Sequence, residues 1–317
     1  MAVEIELKLR LDPRDTQRLT DALNLIANSQ PTRHLHNVYY DTGRAELAAQ
    51  RCALRIRQHG SQFEQTLKTV GHSDAGLQQR HEWNWPLSHN HLDITLLQDP
   101  DVQRHWPASI AIDQLKPYFT THFERQVWLW QEGENAIEIV LDQGTIEHQD
   151  QQQRLCELEL ELLNGDIEPL WQLAQQLAQH CPLWLSDISK AERGYQLADD
   201  HSPWQQHLAP HDIAHASSNQ CLQALQRCLE HTLWYEHNMD HESVNALIAR
   251  LHSHVTTESA HTALQALSQA LPAHDVGTLH GLRQQTVIGQ TLLTLSHALY
   301  TETHPHRTES TSPPSDV

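Results

Sequence analysis

Long apolar runs are missing from this chain. No stretch approaches the roughly 18 to 20 residues that a membrane-spanning helix needs, and the N-terminus lacks the charged-then-apolar pattern of a secretory signal. A soluble, cytoplasmic protein is therefore expected. Cysteine is scarce too. The five thiols (Cys52, Cys156, Cys181, Cys221 and Cys228) are odd in number and form no CxxC pair, which excludes a disulfide framework and a zinc ribbon. Lysine occurs only at Lys8, Lys68, Lys116 and Lys190. With 40 acidic against 21 basic residues the formal net charge is −19, which argues against non-specific binding to nucleic acid or anionic membrane. Neither a Ser-His-Asp set nor a Walker-type or glycine-rich phosphate loop is present.

What the chain does contain is charge in strand register. Glu157, Glu159 and Glu161 alternate with Leu158, Leu160 and Leu162, and Glu4, Glu6 and Lys8 alternate with Ile5, Leu7 and Leu9. Alternate residues of a strand share a face, so each run sets its charges against an apolar side. One such strand reads as an ordinary half-buried strand with its charges in water. Here basic strands of the same design accompany the acidic ones, with Arg55 and Arg57 on one face and Arg80 beside Glu82. Strands whose charged faces carry both signs predict a closed sheet with a polar lumen.

The rest of the chain divides near residue 200. Strands are expected at about 2–11, 34–41, 52–59, 62–70, 78–86, 121–131, 135–142 and 154–163. Helices are expected after Asp12-Pro13 and after Asp166, the latter as cap. Trp83, Trp85, Trp128 and Trp130 are read as outer packing, and Arg33 as a solvated residue ahead of the second strand. Beyond 200 the pattern is helical, with expected stretches through Leu222–Leu233, Val244–Leu251, 258–271 and 276–299. The expected division is 1–200, a helical 201–300, and a disordered tail 301–317. Residues 201–317 hold 15 of the 26 histidines. His237 and His241 have helical i, i+4 spacing but read as a chance pair in so histidine-rich a chain.

Taken in order, these residues resemble the CYTH superfamily, the triphosphate tunnel metalloenzymes. The resemblance rests on Glu4-x-Glu6-x-Lys8, Tyr39-Tyr40-Asp41-Thr42, Leu54-Arg55-Ile56-Arg57, Thr66-Leu67-Lys68 and Arg80-His81-Glu82. It continues through Glu124-Arg125, Ile137 to Gly144, Glu157 to Glu161 and Ser189 to Tyr195. The strongest likeness is to the bacterial inorganic triphosphatases, which join a CYTH domain to a helical CHAD domain. That resemblance implies an α+β fold: an eight-stranded antiparallel barrel with flanking helices, followed by an α-helical C-terminal domain. The part beyond 200 departs from the CHAD pattern, for residues 201–317 hold four arginines and no lysine. It looks shortened and degenerate, which makes polyphosphate binding there doubtful and leaves it a docking or self-association role.

The resemblance further implies that Glu4 and Glu6 bind metal together with Glu159 and Glu161 of the later strand; Glu157 shares their face, so which two of the three bind is left open. Asp142 would help hold a second metal or orient water. Arg55, Arg57, Lys68, Arg80 and Arg125 would grip phosphates, with Lys8 and Lys190 contacting phosphates or the leaving group. Glu82 would pair with its basic neighbours. Carboxylates beside a polyanion call for a hard divalent cation, Mg²⁺ or Mn²⁺. The implied activity is metal-dependent hydrolysis of tripolyphosphate to pyrophosphate and phosphate. The alternatives are thiamine or nucleoside triphosphatase or class IV-type adenylate cyclase on the same scaffold, and a non-catalytic polyphosphate sensor. No nucleic-acid or membrane partner is expected.

Overall fold

The computed structural model describes residues 2–198, 210–235, 240–271 and 285–304. Ten antiparallel strands form one sheet: β1 (Ala2–Arg10), β2 (Asn28–Asp41), β3 (Ala53–His59), β4 (Gln62–Lys68), β5 (His72–Asp74), β6 (Leu77–Leu87), β7 (Lys116–Glu132), β8 (Asn135–His148), β9 (Gln151–Asn164) and β10 (Trp184–Leu185). Their order is β10-β1-β9-β8-β7-β2-β3-β4-β6-β5. Residues 2–7 of β1 also pair with residues 77–82 of β6, which closes eight of the strands into a barrel. Two short edge strands, β5 and β10, sit outside the ring.

Helices flank the barrel and plug one end of it. They are α1 (Thr16–Ile26), α2 (Glu46–Ala49), α3 (Pro100–Gln103), α4 (Glu168–Leu177) and α5 (Lys190–Ala198). After these come α6 (Pro210–Ile213), α7 (Ser218–Tyr235), α8 (His241–His252), α9 (Glu258–Ala270) and α10 (Thr286–Thr303). Leu7, Leu9, Ile137, Ile139, Leu141, Leu158 and Leu160 point outward into a buried cluster that takes in α1, α4 and the apolar faces of α7 to α10. A second outer cluster, with Leu54, Leu67 and Trp83, is roofed by Leu47, Val102 and Trp106. Trp128 donates its indole N–H to Asn24 of α1 at 2.8 Å and Trp83 to Asp101 at 3.2 Å, so both are outer packing residues with satisfied polar atoms.

Inside, one end of the barrel is plugged. Tyr39, Phe119, Phe123, Ile146 and Leu155 cluster with Ala191 and Tyr195 of α5. Glycine permits that approach, since a Cβ on Gly194 would lie 2.1 Å from the Phe119 ring. The other end carries the charge.

Several expected boundaries move. β2 starts at Asn28 rather than 34 and β7 at Lys116 rather than 121. Residues 28–33 are exposed and, apart from Pro31, polar, so no alternation marks them, and their strand character comes from pairing with β7 across a bulge. Asp166 does not cap α4, which begins at Glu168 with Ile167 at its cap position and no side-chain cap bond; Asp166 instead donates its N–H to Asn135 at 2.9 Å. Thr301–Thr303, expected in a disordered tail, complete the last turn of α10, which runs from Thr286. The expected division near 200, His237, residues 276–284 and the tail from 305 lie outside the described residues. No helix among the described residues is long and apolar enough to cross a membrane.

Candidate active site in the barrel lumen

Strand register assembles the inner wall from residues far apart in the chain. Across β1 and β9, Glu6 faces Glu161, Lys8 faces Glu159 and Arg10 faces Glu157. Across β8 the ladder adds Glu138 beside Glu161 and Asp142 beside Glu157, and β7 adds Arg125 beside Asp142. On the opposite wall, Arg55 and Arg57 come from β3, Lys68 from β4, and Arg80 with Glu82 from β6. Together they enclose a cavity of about 350 Å³ lined by Glu4, Glu6, Lys8, Arg55, Arg57, Lys68, Arg80, Arg125, Glu159, Glu161 and Lys190.

Two of the expected ligands do not reach that cavity. Asp142 and Glu157 are fully buried in its floor. Arg125 grips Asp142 with two bonds of 2.7 and 2.6 Å, and Lys190 reaches the same carboxylate at 2.7 Å. Lys190 also pairs with Glu157 and, at 3.0 Å, with Glu159. Asp142, Glu157 and Glu159 bring their oxygens within 4.8 Å of one another, close enough for a metal. In this geometry the ammonium of Lys190 occupies the centre of that set, so these three carboxylates are already neutralised. Burial opposes the charge on Glu159, yet Lys190, Lys8 and Arg125 hold its pKa well below the usual carboxylate range.

Nearer the opening the balance reverses. Lys68 and Arg80 contact Glu4 at 2.9 and 3.2 Å, Arg80 contacts Glu6 at 2.5 Å, and Lys68 contacts Glu82 at 2.7 Å. Glu82 is thereby held down to about 2 by Lys68 and Arg55 despite its burial, which is the pairing role expected for it. Glu161 and Glu138 take no hydrogen bond or ion pair among the described residues. Burial, and then Glu4 and Glu6, push the Glu161 carboxyl up to about 7. This row of hard oxygen donors, short of positive charge, fits a divalent cation such as Mg²⁺ or Mn²⁺ better than the lysine-filled floor does.

Facing it is a wall with the opposite excess. Arg57 donates Nε–H to Asn37 at 2.9 Å, and Asn37 is itself fixed by Thr121 at 2.9 Å. The buried Nε of Arg55 has no hydrogen-bond partner among the described residues. Burial, with Arg55 and Arg125 close by, pushes the Arg57 guanidinium down to about 9. Guanidiniums held together without enough carboxylate form a site built for an anion.

Arg33, read from sequence as solvated, is exposed and stands at the rim of the same cavity. Glu138 was missed, although Glu138 and Asp142 share one strand face by the same alternation that marks Glu157, Glu159 and Glu161. Arg193 and Glu230 were missed as well: Arg193 lies within the Ser189–Tyr195 run, and no local pattern announces Glu230. The thiols stand apart from this chemistry, with Cys52, Cys156, Cys181 and Cys221 buried.

Comparison with known proteins follows the same lines. The CYTH domain family matches residues 2–195, well over half of the chain. An inorganic triphosphatase of Haemophilus influenzae is 33% identical over 199 residues, which cover 62% of this chain and 55% of the relative, so the chain spans about half the length of that curated protein. Among solved structures, the Hippeastrum protein HpAC1, described as revealing a dominant triphosphatase activity, is 24% identical, with 61% of this chain and 95% of that one covered at a TM-score of 0.47. A Bacillus halodurans protein named as a candidate adenylate cyclase is 22% identical, with 56% and 90% covered at a TM-score of 0.37. The motifs, the closed barrel and the family match agree, and the chain belongs to the CYTH domain family.

Proposed function

We propose that this protein is a metal-dependent inorganic triphosphatase, cleaving tripolyphosphate into pyrophosphate and orthophosphate within the barrel. The observation that carries this reading is the segregation of charge in one lumen: an arginine wall facing a carboxylate row in which Lys68 and Arg80 engage Glu4 and Glu6 while Glu161 and Glu138 have no cation partner among the described residues. The 33% identical triphosphatase relative supports it. A polyanion requires both halves, guanidiniums for its oxygens and a hard cation to let it lie beside carboxylates.

Glu4, Glu6 and Glu161, with Glu159 at their edge, would hold Mg²⁺ or Mn²⁺. When bound, the metal supplies neutralisation of phosphate charge and a lowered pKa for water. The chain's own residues do the rest. Arg55, Arg57 and Arg125 bind phosphate oxygens in fixed directions. Asp142 holds Arg125 and Lys190 in place, while Lys8 and Lys190 place ammoniums at the floor to stabilise the charge that develops on the departing pyrophosphate. Lys68 and Arg80, which engage Glu4 and Glu6, would be available to phosphate oxygens where those carboxylates hold metal. Water attacks the terminal phosphorus, the P–O–P bond breaks, and no covalent enzyme intermediate is needed.

Tripolyphosphate is favoured over nucleotides because, among the described residues, Tyr39 is the one aromatic residue lining the cavity, and its ring is already stacked on Phe119 at 4.4 Å. A base has no platform there. Residues 1–200 would form the catalytic module. Comparing turnover of tripolyphosphate, ATP and thiamine triphosphate under Mg²⁺ and Mn²⁺ tests this selectivity. Preference for ATP would replace the reading with a nucleoside triphosphatase or cyclase.

A further inference from the structure

The floor of the lumen does not end with the barrel. Glu230 lies on α7, beyond the residues matched to the family, and is buried. Its Oε1 accepts from Arg10 Nη1 at 2.8 Å and stands 3.6 Å from Arg193 Nη2, while its Oε2 accepts from Ser186 Oγ at 2.7 Å. Arg193 in turn reaches Glu157 at 2.9 Å, and Glu157 pairs with Lys190 and, at 3.9 Å, with Lys8. Trp234, one turn further along α7, stacks under Arg10 at 4.8 Å. Buried charges thus run without interruption from the C-terminal helices to both lumen lysines.

A buried ion pair is a poor way to glue a helix to a barrel, because desolvation cancels most of its attraction and apolar residues would serve as well. The neighbouring turns of α7 already supply such residues in Leu222, Leu225, Leu229 and Leu233. Position 230 needs another reason for its charge. Arg10, Arg193, Lys8, Lys190 and Arg125 are the cations of the floor; Glu157, Glu159, Asp142 and Glu230 are its anions. Without Glu230, Arg193 would draw Glu157 to itself and loosen that carboxylate's hold on Lys190.

We propose that Glu230 is a positioning residue for the proposed triphosphatase, acting through Arg193 and Glu157 to hold the Lys190 ammonium at the lumen floor. The C-terminal helices then complete the site instead of merely following it. The proposal rests on the triphosphatase reading for its kinetic effect but not for its geometry.

The test compares Glu230→Gln with Gln226→Ala, a buried position on the same helix that bonds Ser296 at 3.2 Å and touches none of these charges. Four lysines make the side-chain ammonium signals assignable by ¹H–¹⁵N NMR. Glu230→Gln should shift the Lys190 signal and lower kcat for tripolyphosphate roughly ten- to a hundredfold, the scale of a misplaced catalytic group, with KM changed far less. Gln226→Ala should lower Tm yet leave the Lys190 signal and kcat unchanged. An unshifted signal in Glu230→Gln, or losses of kcat that track Tm in both variants, overturns the proposal. If Glu230→Gln does not fold, Arg10→Gln/Glu230→Gln, which removes one charge of each sign, carries the same NMR test. If the wild type cleaves no tripolyphosphate, the functional reading falls, and the Lys190 signal alone decides the positioning role.

Discussion

Arg125 forks across Asp142, Nε to Oδ1 at 2.7 Å and Nη2 to Oδ2 at 2.6 Å, and the same Nη2 reaches Glu159 Oε2 at 3.1 Å. A planar guanidinium makes that double contact and still presents a face to the lumen; an ammonium cannot. Arg125→Lys should therefore reduce kcat/KM for tripolyphosphate by about a hundredfold, the scale of losing one preorganised donor. Steady-state kinetics beside a thermal melt separates this from unfolding. Near-wild-type activity in Arg125→Lys would remove Arg125 from the substrate wall.

Glu161 gives the pH dependence. Its folded pKa of about 7 stands above the ordinary 4.5, because burial and the carboxylates of Glu4 and Glu6 disfavour its charge. Between those two values the folded protein binds more protons than the unfolded chain, so the stability of the metal-free protein falls as pH rises through the window and levels off above about 7. Metal affinity should move in the opposite direction, rising until Glu161 is ionised. Glu161→Gln is expected to be more stable than the wild type at pH 8 without metal, and to bind Mg²⁺ or Mn²⁺ more weakly. Urea melts and calorimetric titration read both. A variant less stable than wild type at pH 8 would show that the carboxylate row is not crowded.

The arginine wall predicts a trade between stability and binding. The Arg57 guanidinium, pushed down to about 9 by burial and by Arg55 and Arg125, is a cost to the ligand-free fold that is present below about pH 9 and is relieved above it. At a hundredfold excess over Kd, tripolyphosphate should stabilise the wild type by about 2.7 kcal/mol. Arg57→Gln should leave the ligand-free protein at least as stable and lose most of that gain. Thermal shift with and without tripolyphosphate decides it.

Gly194 tests the plug. A Cβ there would meet the Phe119 ring at 2.1 Å, forcing α5 away from β7 and carrying Lys190 with it. Gly194→Ala should cost about 1 to 3 kcal/mol, as overpacking does, and should lower turnover too. Denaturant melts and kinetics on the same sample provide the check, and a variant of unchanged stability would mean that α5 is loosely held.

Much of the barrel was legible because a lumen imposes period-two charge on each strand. The runs at Glu4–Lys8, Arg55–Arg57 and Glu157–Glu161 carry that alternation openly, and all three supply lumen residues. The early start of β2 was hidden, since residues 28–33 are exposed and have no inner face to mark. The depth of each charge was hidden as well. Glu157 and Glu161 share a face, yet one lies under Lys190 and Arg193 and the other has no partner among the described residues; the floor built by α5 and α7 separates them. Glu230 was beyond reach because its partners are 220 residues away at Arg10 and on α5 at Arg193.

Phosphate release from tripolyphosphate is the most direct test of the whole account, measured for wild type and Glu6→Gln with Mg²⁺, Mn²⁺ or a chelator. The account predicts metal-dependent release of one phosphate per tripolyphosphate, with pyrophosphate left behind, abolished by chelator and by the substitution while both proteins stay folded. Undiminished cleavage in chelator or in Glu6→Gln would contradict the carboxylate row as the metal site. Tight tripolyphosphate binding without cleavage would contradict the assignment as an enzyme.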